Sequence, residues 1–379
     1  MLTTRPRVGI VGGGQLARMT AMSARLLDID VAVLRQPGDE GVEGVVADLT
    51  TVAHLDEDRL EDFARRCDVL TFDHEKVAPG VVARLEDRGL VVRPGARAYE
   101  LASDKVSQRI ALSAGGFPLP PFALPGGMGD LDRFADDHDW PLVVKAGRGG
   151  YDGAGVHRVE QAAEAPPFRP WQVVAEPHLA IETELAVLVA RRPGGQVAVY
   201  PAVATHQDAT AICRRVVAPA PVSDRLRRRA EDLAVAVADH IDATGILAVE
   251  LFVVDGDLLI NELAARPHNT GHLTIEGSAT SQFENHLRAV LDLPLGPTTP
   301  MAPWAVMVNL IAADDRPVQL PRRPGTRVHL YGKTPRPGRK VGHVTALGAD
   351  LGEVLARAEA VAEPEPAGEH RHLVGAGHS

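Results

Sequence analysis

"AVELFVVDGDLLINELAARPHNTGH", residues 248–272, decides how this chain is read. Two apolar runs flank Asp255-Gly256-Asp257, so the stretch predicts a β-hairpin. Taking all three turn residues as the loop pairs Val254 with Leu258, Phe252 with Ile260 and Glu250 with Glu262. Two carboxylates then face each other across neighbouring strands at about 5 Å, which destabilises a sheet unless something compensates. Their expected same-face neighbours, Phe252, Val254, Leu258 and Ile260, are apolar. Such a pair needs a cation or must hold protons. Mg2+ meets that need, being held typically by one or two carboxylates plus substrate phosphates. Just downstream, Arg266, His268, Asn269 and His272 crowd together. The alternative is a slipped register, with one glutamate at the surface and no metal.

A second stretch supplies what the first lacks. "VVKAGRGGYDGAGVHRV", residues 143–159, places five glycines between two strands. Backbone amides freed of side chains can wrap phosphate oxygens, and a long glycine loop in a hairpin can close as a lid. It is not a Walker loop, because GK[ST] is absent and a strand follows. Lys145 ends the preceding strand, placed to offset phosphate charge.

The N-terminal "GIVGGGQLA" fits G-x-G-x-x-A after a strand, a dinucleotide pattern. The second strand ends at Leu34, where an NAD site wants an acidic residue; Arg35 and Gln36 follow instead. Arg35 would suit a 2′-phosphate. A tight strand–helix turn, or a helix start that holds a substrate phosphate, explains the glycines equally well.

Around these motifs the 379 residues suggest two or three domains at roughly 150 residues each. Residues 1–103 alternate strand and helix, with apolar segments at 42–49, 68–73 and 90–94, predicting a parallel sheet under helices. Ser103 is expected to cap a helix that stops at Gly115-Gly116. From 104 to 298 strands come as hairpins, with helices over 224–243 and about 278–291. Residues 299–363 suggest a small β-rich domain, and 364–379 a disordered tail. The net charge of −10 argues against nucleic-acid or anionic-membrane partners, and "RLRRR" at 225–229 reads as a solvated helix face. No apolar run is long enough for a signal peptide or a membrane span, and Cys67 and Cys213 form no metal-ligand cluster. Both points favour the cytoplasm. Only five of 40 basic residues are lysine: Lys76, Lys105, Lys145, Lys333 and Lys340. A chain so biased towards arginine keeps lysine where a compact point charge is useful.

"VVKAGRGGYDGAG", "AEPHLAIETE", "AVELFV" and "INELAARPHNTGH" together resemble the ATP-grasp superfamily. "GIVGGGQLARM", "DVLTFDHEKV", "RPHNTGH" and "YGKTPRPGRKVGHVT" narrow the resemblance to the 5-(carboxyamino)imidazole ribonucleotide synthase family of purine biosynthesis, in order over about residues 7–348. The resemblance implies a mixed α/β and α+β chain: a Rossmann-like parallel-sheet domain, a central ATP-grasp domain and a small β-rich C-terminal domain. It implies a carbon–nitrogen ligase that uses ATP, Mg2+ (or Mn2+) and bicarbonate to carboxylate aminoimidazole ribonucleotide, commonly as a homodimer.

Residue by residue, the resemblance puts Lys105 and Lys145 on ATP phosphates, under a loop of Gly150, Tyr151, Asp152, Gly153, Ala154, Gly155 and Val156. Glu176, Pro177, His178 and Leu179 would lie along the adenine through backbone groups. Glu184 would accept from ribose hydroxyls, with His206 near the nucleotide. Glu250 and Glu262 would carry the metal, with Asn261 beside them. Arg266, His268 and Asn269 would line the bicarbonate and carboxyphosphate site. Lys333 and Arg339, with Lys340, would hold the ribonucleotide phosphate. Gln15, Glu75, Tyr151 and Asp152 are further candidates for the ribonucleotide, and Asp152 or His268 for the proton transfer. Asp73 stands where the family often has a second glutamate, so no role is assigned to it. His343 is expected to be structural. Two rivals stay open: a formate-dependent phosphoribosylamine ligase of the same superfamily, and an NADP-dependent oxidoreductase using Gly12–Gly14.

Overall fold

The computed structural model describes residues 5–149, 155–208, 210–317, 320 and 323–362. Near the N-terminus β1 (Arg7–Val11), β2 (Asp30–Arg35), β3 (Asp48–Thr51) and β4 (Val69–Phe72) form a parallel sheet in the order β3-β2-β1-β4. Helices α1 (Gln15–Leu26), α2 (Glu57–Ala64) and α3 (Pro79–Asp87) alternate with the strands, and α4 (Ala96–Ser103) follows. Both sheet faces are covered, so the strands read as apolar runs and not as alternations. Val8, Ile10, Val33 and Val69 pack on one side; Val11, Leu34, Leu70 and Phe72 on the other. The 42–49 segment becomes a strand only from Asp48, and 90–94 contributes a single bridge, Val92 to Leu70. Pro94 cannot donate to a ladder, which shortens that pairing.

α5 (Lys105–Ala114) starts immediately after α4, and its cap is Asp104, not Ser103. The Asp104 carboxylate accepts from Val106 N at 2.9 Å and Ser107 N at 3.2 Å. Ser103 still belongs to α4 and turns its hydroxyl back to Glu100 O.

α6 (Met128–His138) packs on a small antiparallel sheet of β5 (Leu142–Ala146), β6 (Val156–Val159) and β7 (Val173–Pro177), ordered β6-β5-β7. The large sheet is built from β8 (Thr183–Arg191), β9 (Val197–Val199), β10 (Val203–Gln207), β11 (Cys213–Ala218), β12 (Gly245–Val254), β13 (Asp257–Ala264), β14 (Trp304–Ile311), β15 (Thr326–Leu330) and β16 (Lys340–Gly348). Its order is β13-β12-β8-β10-β11-β14-β16-β15, with β9 on β8. The C-terminal strands therefore do not form a sheet of their own. β14 pairs with β11 from Arg215↔Val308 to Ala218↔Ala305, and one sheet runs through both regions.

α7 (Asp224–His240), capped by Ser223, covers the face that carries Leu185, Val187, Val249 and Leu251. α8 (Thr274–Gly277) and α9 (Gln282–Val290) cover the opposite face. α10 (Leu351–Ala362) joins α7's side through Val217, Val306 and Val308. α9 is sandwiched: Ala289 meets the large sheet while Leu287 and Val290 meet β1, β2 and β4. His286 on α9 ties the layers, accepting from Ile246 N at 3.1 Å and bonding Thr71 Oγ1 at 2.9 Å.

The β12–β13 hairpin corrects the expected register. Its loop is two residues, Asp255 and Gly256, both at positive φ (50° and 74°), as a tight hairpin turn requires. Val254 therefore pairs with Asp257, Val253 with Leu258, Phe252 with Leu259 and Leu251 with Ile260. Continued unchanged, that register would set Glu262 opposite Val249, on the apolar face. A β-bulge at Asn261 absorbs one residue and restores Glu250↔Glu262. Leu258 and Ile260 consequently belong to the α7 core, not to the carboxylate face.

Candidate active site

Glu250 and Glu262 stand side by side on one face, both half-buried. Lys105 Nζ ion-pairs with Glu262, and His268 Nε2 lies 3.5 Å from Glu250 Oε1. Compensation is incomplete: burial, then the charge of Glu262, push Glu250 up from 4.5 to about 8. Among the described residues no group of three or more His, Cys, Asp or Glu could hold a metal by itself. Two hard oxygen donors with unmet charge fit a divalent ion whose shell substrate phosphates would complete.

Next to this pair lies a cluster whose one carboxylate is met by two cations. Glu176, 2% exposed at the end of β7, takes Arg109 on one oxygen at 2.6 Å and Lys145 on the other at 2.6 Å. Burial alone would raise the Glu176 carboxyl, but Lys145 and Arg109 hold it below its ordinary value. Burial lowers Lys145, only partly offset by Glu176. Asn261, the bulge residue, accepts Lys145 at its side chain (3.0 Å) and Arg109 at its carbonyl (2.9 Å). The bulge is thereby anchored by the same cations. Arg109 is missing from the sequence-based assignment. Its signal was its place four residues after Lys105, on one face of α5.

Glu176's side chain is consumed in this cluster, which leaves its backbone for any ligand. His178 N donates to Pro141 O at 3.1 Å, and Pro177 and Leu179 lead from β7 towards β8. Glu184 shares the carboxylate face, since it pairs with Phe252, and Gln207 Nε2 donates to it at 3.1 Å. His206 is not brought there. It pairs with Arg215, one residue out of phase with Thr205↔Glu184, and so lies on the opposite face, where the charges of Arg215 and of Glu359 on α10 reach it. A register irregularity after His206 gives Gln207 the place beside Glu184.

The turn after β13 carries the anion-binding candidates. Arg266 Nε meets Glu75 Oε1 at 2.7 Å, uniting two sequence-based assignments from distant parts of the chain. His268 Nδ1 lies 3.0 Å from Thr270 Oγ1. Asn269 and Asn309 exchange amide hydrogen bonds at 2.9 and 2.8 Å, fixing this turn to β14. Gly155 leads into β6, which begins at Val156 opposite Lys145. Gly150, Tyr151, Asp152, Gly153 and Ala154 lie outside the described residues.

Near the start of α1, Gly14 N donates to Asp73, the residue left without a role. A Cβ on Gly13 would lie 2.9 Å from Arg35 Cδ, and one on Gly12, at φ +104°, 2.8 Å from His74 Cδ2. Side chains of the chain itself thus lie where a Cβ would point, so close packing of the strand–helix turn accounts for these glycines. Gln15 opens α1 just beyond. Arg339 and the Thr334 amide both donate to Glu40 at 2.8 Å, linking the C-terminal loop to the N-terminal domain. Lys333 Nζ sits 5.9 Å from the Tyr331 ring centroid, and Lys340 is buried with its charge felt at Glu250. His343 is fully buried and bonds Tyr331 Oη at 2.9 Å, a structural position.

Residues 6–103 match the ribonucleotide synthetase preATP-grasp domain, 110–283 the ATP-grasp domain, and 305–357 the phosphoribosylaminoimidazole carboxylase C-terminal domain. The N5-carboxyaminoimidazole ribonucleotide synthase of Mycobacterium tuberculosis is 44% identical over 94% of this chain and 87% of its own length. The N5-carboxyaminoimidazole ribonucleotide synthetase structure from Thermus thermophilus superposes with a TM-score of 0.84 at 38% identity, covering 94% of this chain and 99% of that one. The Aspergillus clavatus N5-carboxyaminoimidazole synthase, solved with ADP and 5-aminoimidazole ribonucleotide, superposes at 0.82 with 29% identity over 93% and 96% of the two chains. The chain belongs to the N5-carboxyaminoimidazole ribonucleotide synthase family, with its three-part ATP-grasp architecture.

Proposed function

We propose that this protein carboxylates the exocyclic amine of 5-aminoimidazole ribonucleotide, using ATP and bicarbonate, in purine biosynthesis. The supporting observation is one juxtaposition in a chain of this family: an under-compensated pair, Glu250 and Glu262, joined by strand β13 to the turn carrying Arg266, His268 and Asn269.

Bicarbonate is a poor electrophile, and phosphoryl transfer from ATP converts it to carboxyphosphate. Glu250 and Glu262 would hold Mg2+, or Mn2+ in its place. Such an ion would supply positive charge that offsets the charge developing during phosphoryl transfer. Lys105, which pairs with Glu262, and Lys145, which holds Asn261 and Glu176, would contact ATP phosphates. Gly150–Val156 is assigned phosphate contact on sequence alone. Glu184 would take the ribose hydroxyls, and the backbone of Glu176–Leu179 the adenine. Arg266, steadied by Glu75, can clamp a carboxylate-like anion with two parallel hydrogen bonds, a task to which lysine is poorly suited. Lys333 and Arg339, with Lys340, would hold the ribonucleotide phosphate, Glu40 orienting Arg339. Gln15 and Tyr151 are assigned to the same ligand. The proton leaving the amine goes to His268 or Asp152.

Domain boundaries fall at 103/104 and 298/299, although the large sheet crosses the second. A homodimer is carried over from the family. A cytoplasmic location accords with the absence, among the described residues, of any helix long and apolar enough to cross a membrane. The test is ADP release with ATP, Mg2+ and aminoimidazole ribonucleotide, with and without bicarbonate. Dependence on both the ribonucleotide and bicarbonate is expected. Release that ignores bicarbonate but answers to formate and another amine would move the chain to the formate-dependent rival.

A further inference from the structure

We infer that Gln282 is a positioning residue for His268, fixing it for transfer of the activated carboxyl to the amine. Gln282 is the first residue of α9 and is completely buried. Its Oε1 accepts from His268 N at 2.8 Å, and its Nε2 donates to His268 O at 2.7 Å. One amide thus holds both backbone groups of a single residue, as a neighbouring strand would, with His268 extended at φ −124° and ψ 155°. The same Nε2 reaches His272 Nδ1 at 3.2 Å, which puts the His272 proton on Nε2.

The clamp is itself held. Gln282 N donates to Thr274 Oγ1 at 2.9 Å, and that hydroxyl donates to Gly271 O at 2.6 Å. Gly271 leaves room for the clamp, because a Cβ there would lie 2.5 Å from Gln282 Oε1 and 2.4 Å from Leu188 Cδ1 and would push them aside. A residue serving only as filler would need volume but not both hydrogen bonds. With its backbone fixed, the His268 ring is carried to Glu250 and braced by Thr270. Apart from His268, Gln282 bonds no residue assigned to a ligand, so its effect passes through His268. The inference rests on the reading of His268 as a residue of the carboxyphosphate site.

That chain of action predicts uncoupling. ATP phosphates are contacted elsewhere, so ADP should still form, while the activated carboxyl is lost to water before it reaches the amine. The readout is the ratio of carboxylated product to ADP in wild type, Gln282→Met, Gln282→Glu and His268→Ala. Small misplacements of a positioning group cost one to two orders of magnitude, so Gln282→Met should lower the ratio about ten-fold. Gln282→Glu should fall between, since it accepts from His268 N but cannot donate to His268 O. Adding His268→Ala to either should lower the ratio no further. If Gln282→Met does not fold, Gln282→Glu carries the test with a severalfold drop. Parallel loss of ADP and product in the Gln282 variants, while His268→Ala uncouples, overturns the inference. An unchanged ratio in His268→Ala overturns the reading of His268 itself and takes the inference with it.

Discussion

Two carboxylate clusters lie on adjoining parts of this molecule and are built on opposite terms. Glu176 is almost wholly buried and fully answered by Arg109 and Lys145, so its carboxyl is held low. Glu250 and Glu262 are less buried, yet the charges of Lys105 and Lys340 do not offset burial, and Glu250 is driven up to about 8. Charge that is met inside the protein marks a structural junction. Charge left unmet at a partly open position marks a place for a ligand. Asn261 belongs to both: its bulge aligns Glu262 with Glu250, and its polar atoms are gripped by Arg109 and Lys145. The cluster whose carboxylate is met thus holds the other in shape.

The most forceful way to break this contrast is Glu176→Gln. It strands two buried cations, a change that typically costs 3–5 kcal/mol, so roughly that loss is expected in denaturant unfolding. A loss below about 1 kcal/mol, the scale of an exposed pair, would show that the cluster is not a junction. Glu262→Gln should behave in the opposite way. Above about pH 8, where Glu250 is ionised in the folded protein, it removes like-charge repulsion, so unfolding stability there should hold or rise while Mg2+-dependent turnover disappears; near-normal turnover would remove the metal assignment. Further from both clusters, Lys333→Ala should raise the ribonucleotide requirement far more than the ATP requirement. Equal effects on the two would end its phosphate role.

The gentlest test is pH. Burial and Glu262 raise Glu250 in the folded, metal-free protein, so between 4.5 and about 8 the folded state binds the extra proton. Stability from this group is therefore full below pH 4.5 and lost as pH rises through about 8. Glu250→Gln should flatten that slope, and added Mg2+ should oppose it. A metal-free protein whose stability shows no such slope would place Glu250 in an ordinary environment.

Much of this was legible in the residues, though not always by the route they suggested. The Glu250–Glu262 pairing was foreseen through a three-residue loop. The molecule reaches it with a two-residue loop and a bulge, because Asp255 and Gly256 can both take positive φ while Asn261 has cations waiting for it. Alternation cannot reveal a bulge, and the resemblance that put His206 near the nucleotide carries no register to show it on the face opposite Glu184. Arg109 and Glu40 escaped notice because each gains its meaning from a partner far along the chain: Glu176 and Arg339. The unbroken large sheet was hidden by β11, whose opening Cys-Arg-Arg carries exposed charge and no strand pattern. Asp73 gave no local sign of its bond to the Gly14 amide. What the residues did show had a short-range cause: a glutamate near the end of a strand, followed at once by a turn that carries Arg266, His268 and Asn269.

The central claim is that Glu250 and Glu262 form a divalent-ion site while Glu176 does not. Mn2+ binding by electron paramagnetic resonance, with ATP present, tests it most directly on folded wild type and folded Glu262→Gln. The account predicts a bound-Mn2+ signal in wild type that is lost or weakened at least about ten-fold in the variant, the scale reached when even outer-shell partners of a metal are removed. Equal Mn2+ binding by the two proteins would contradict it.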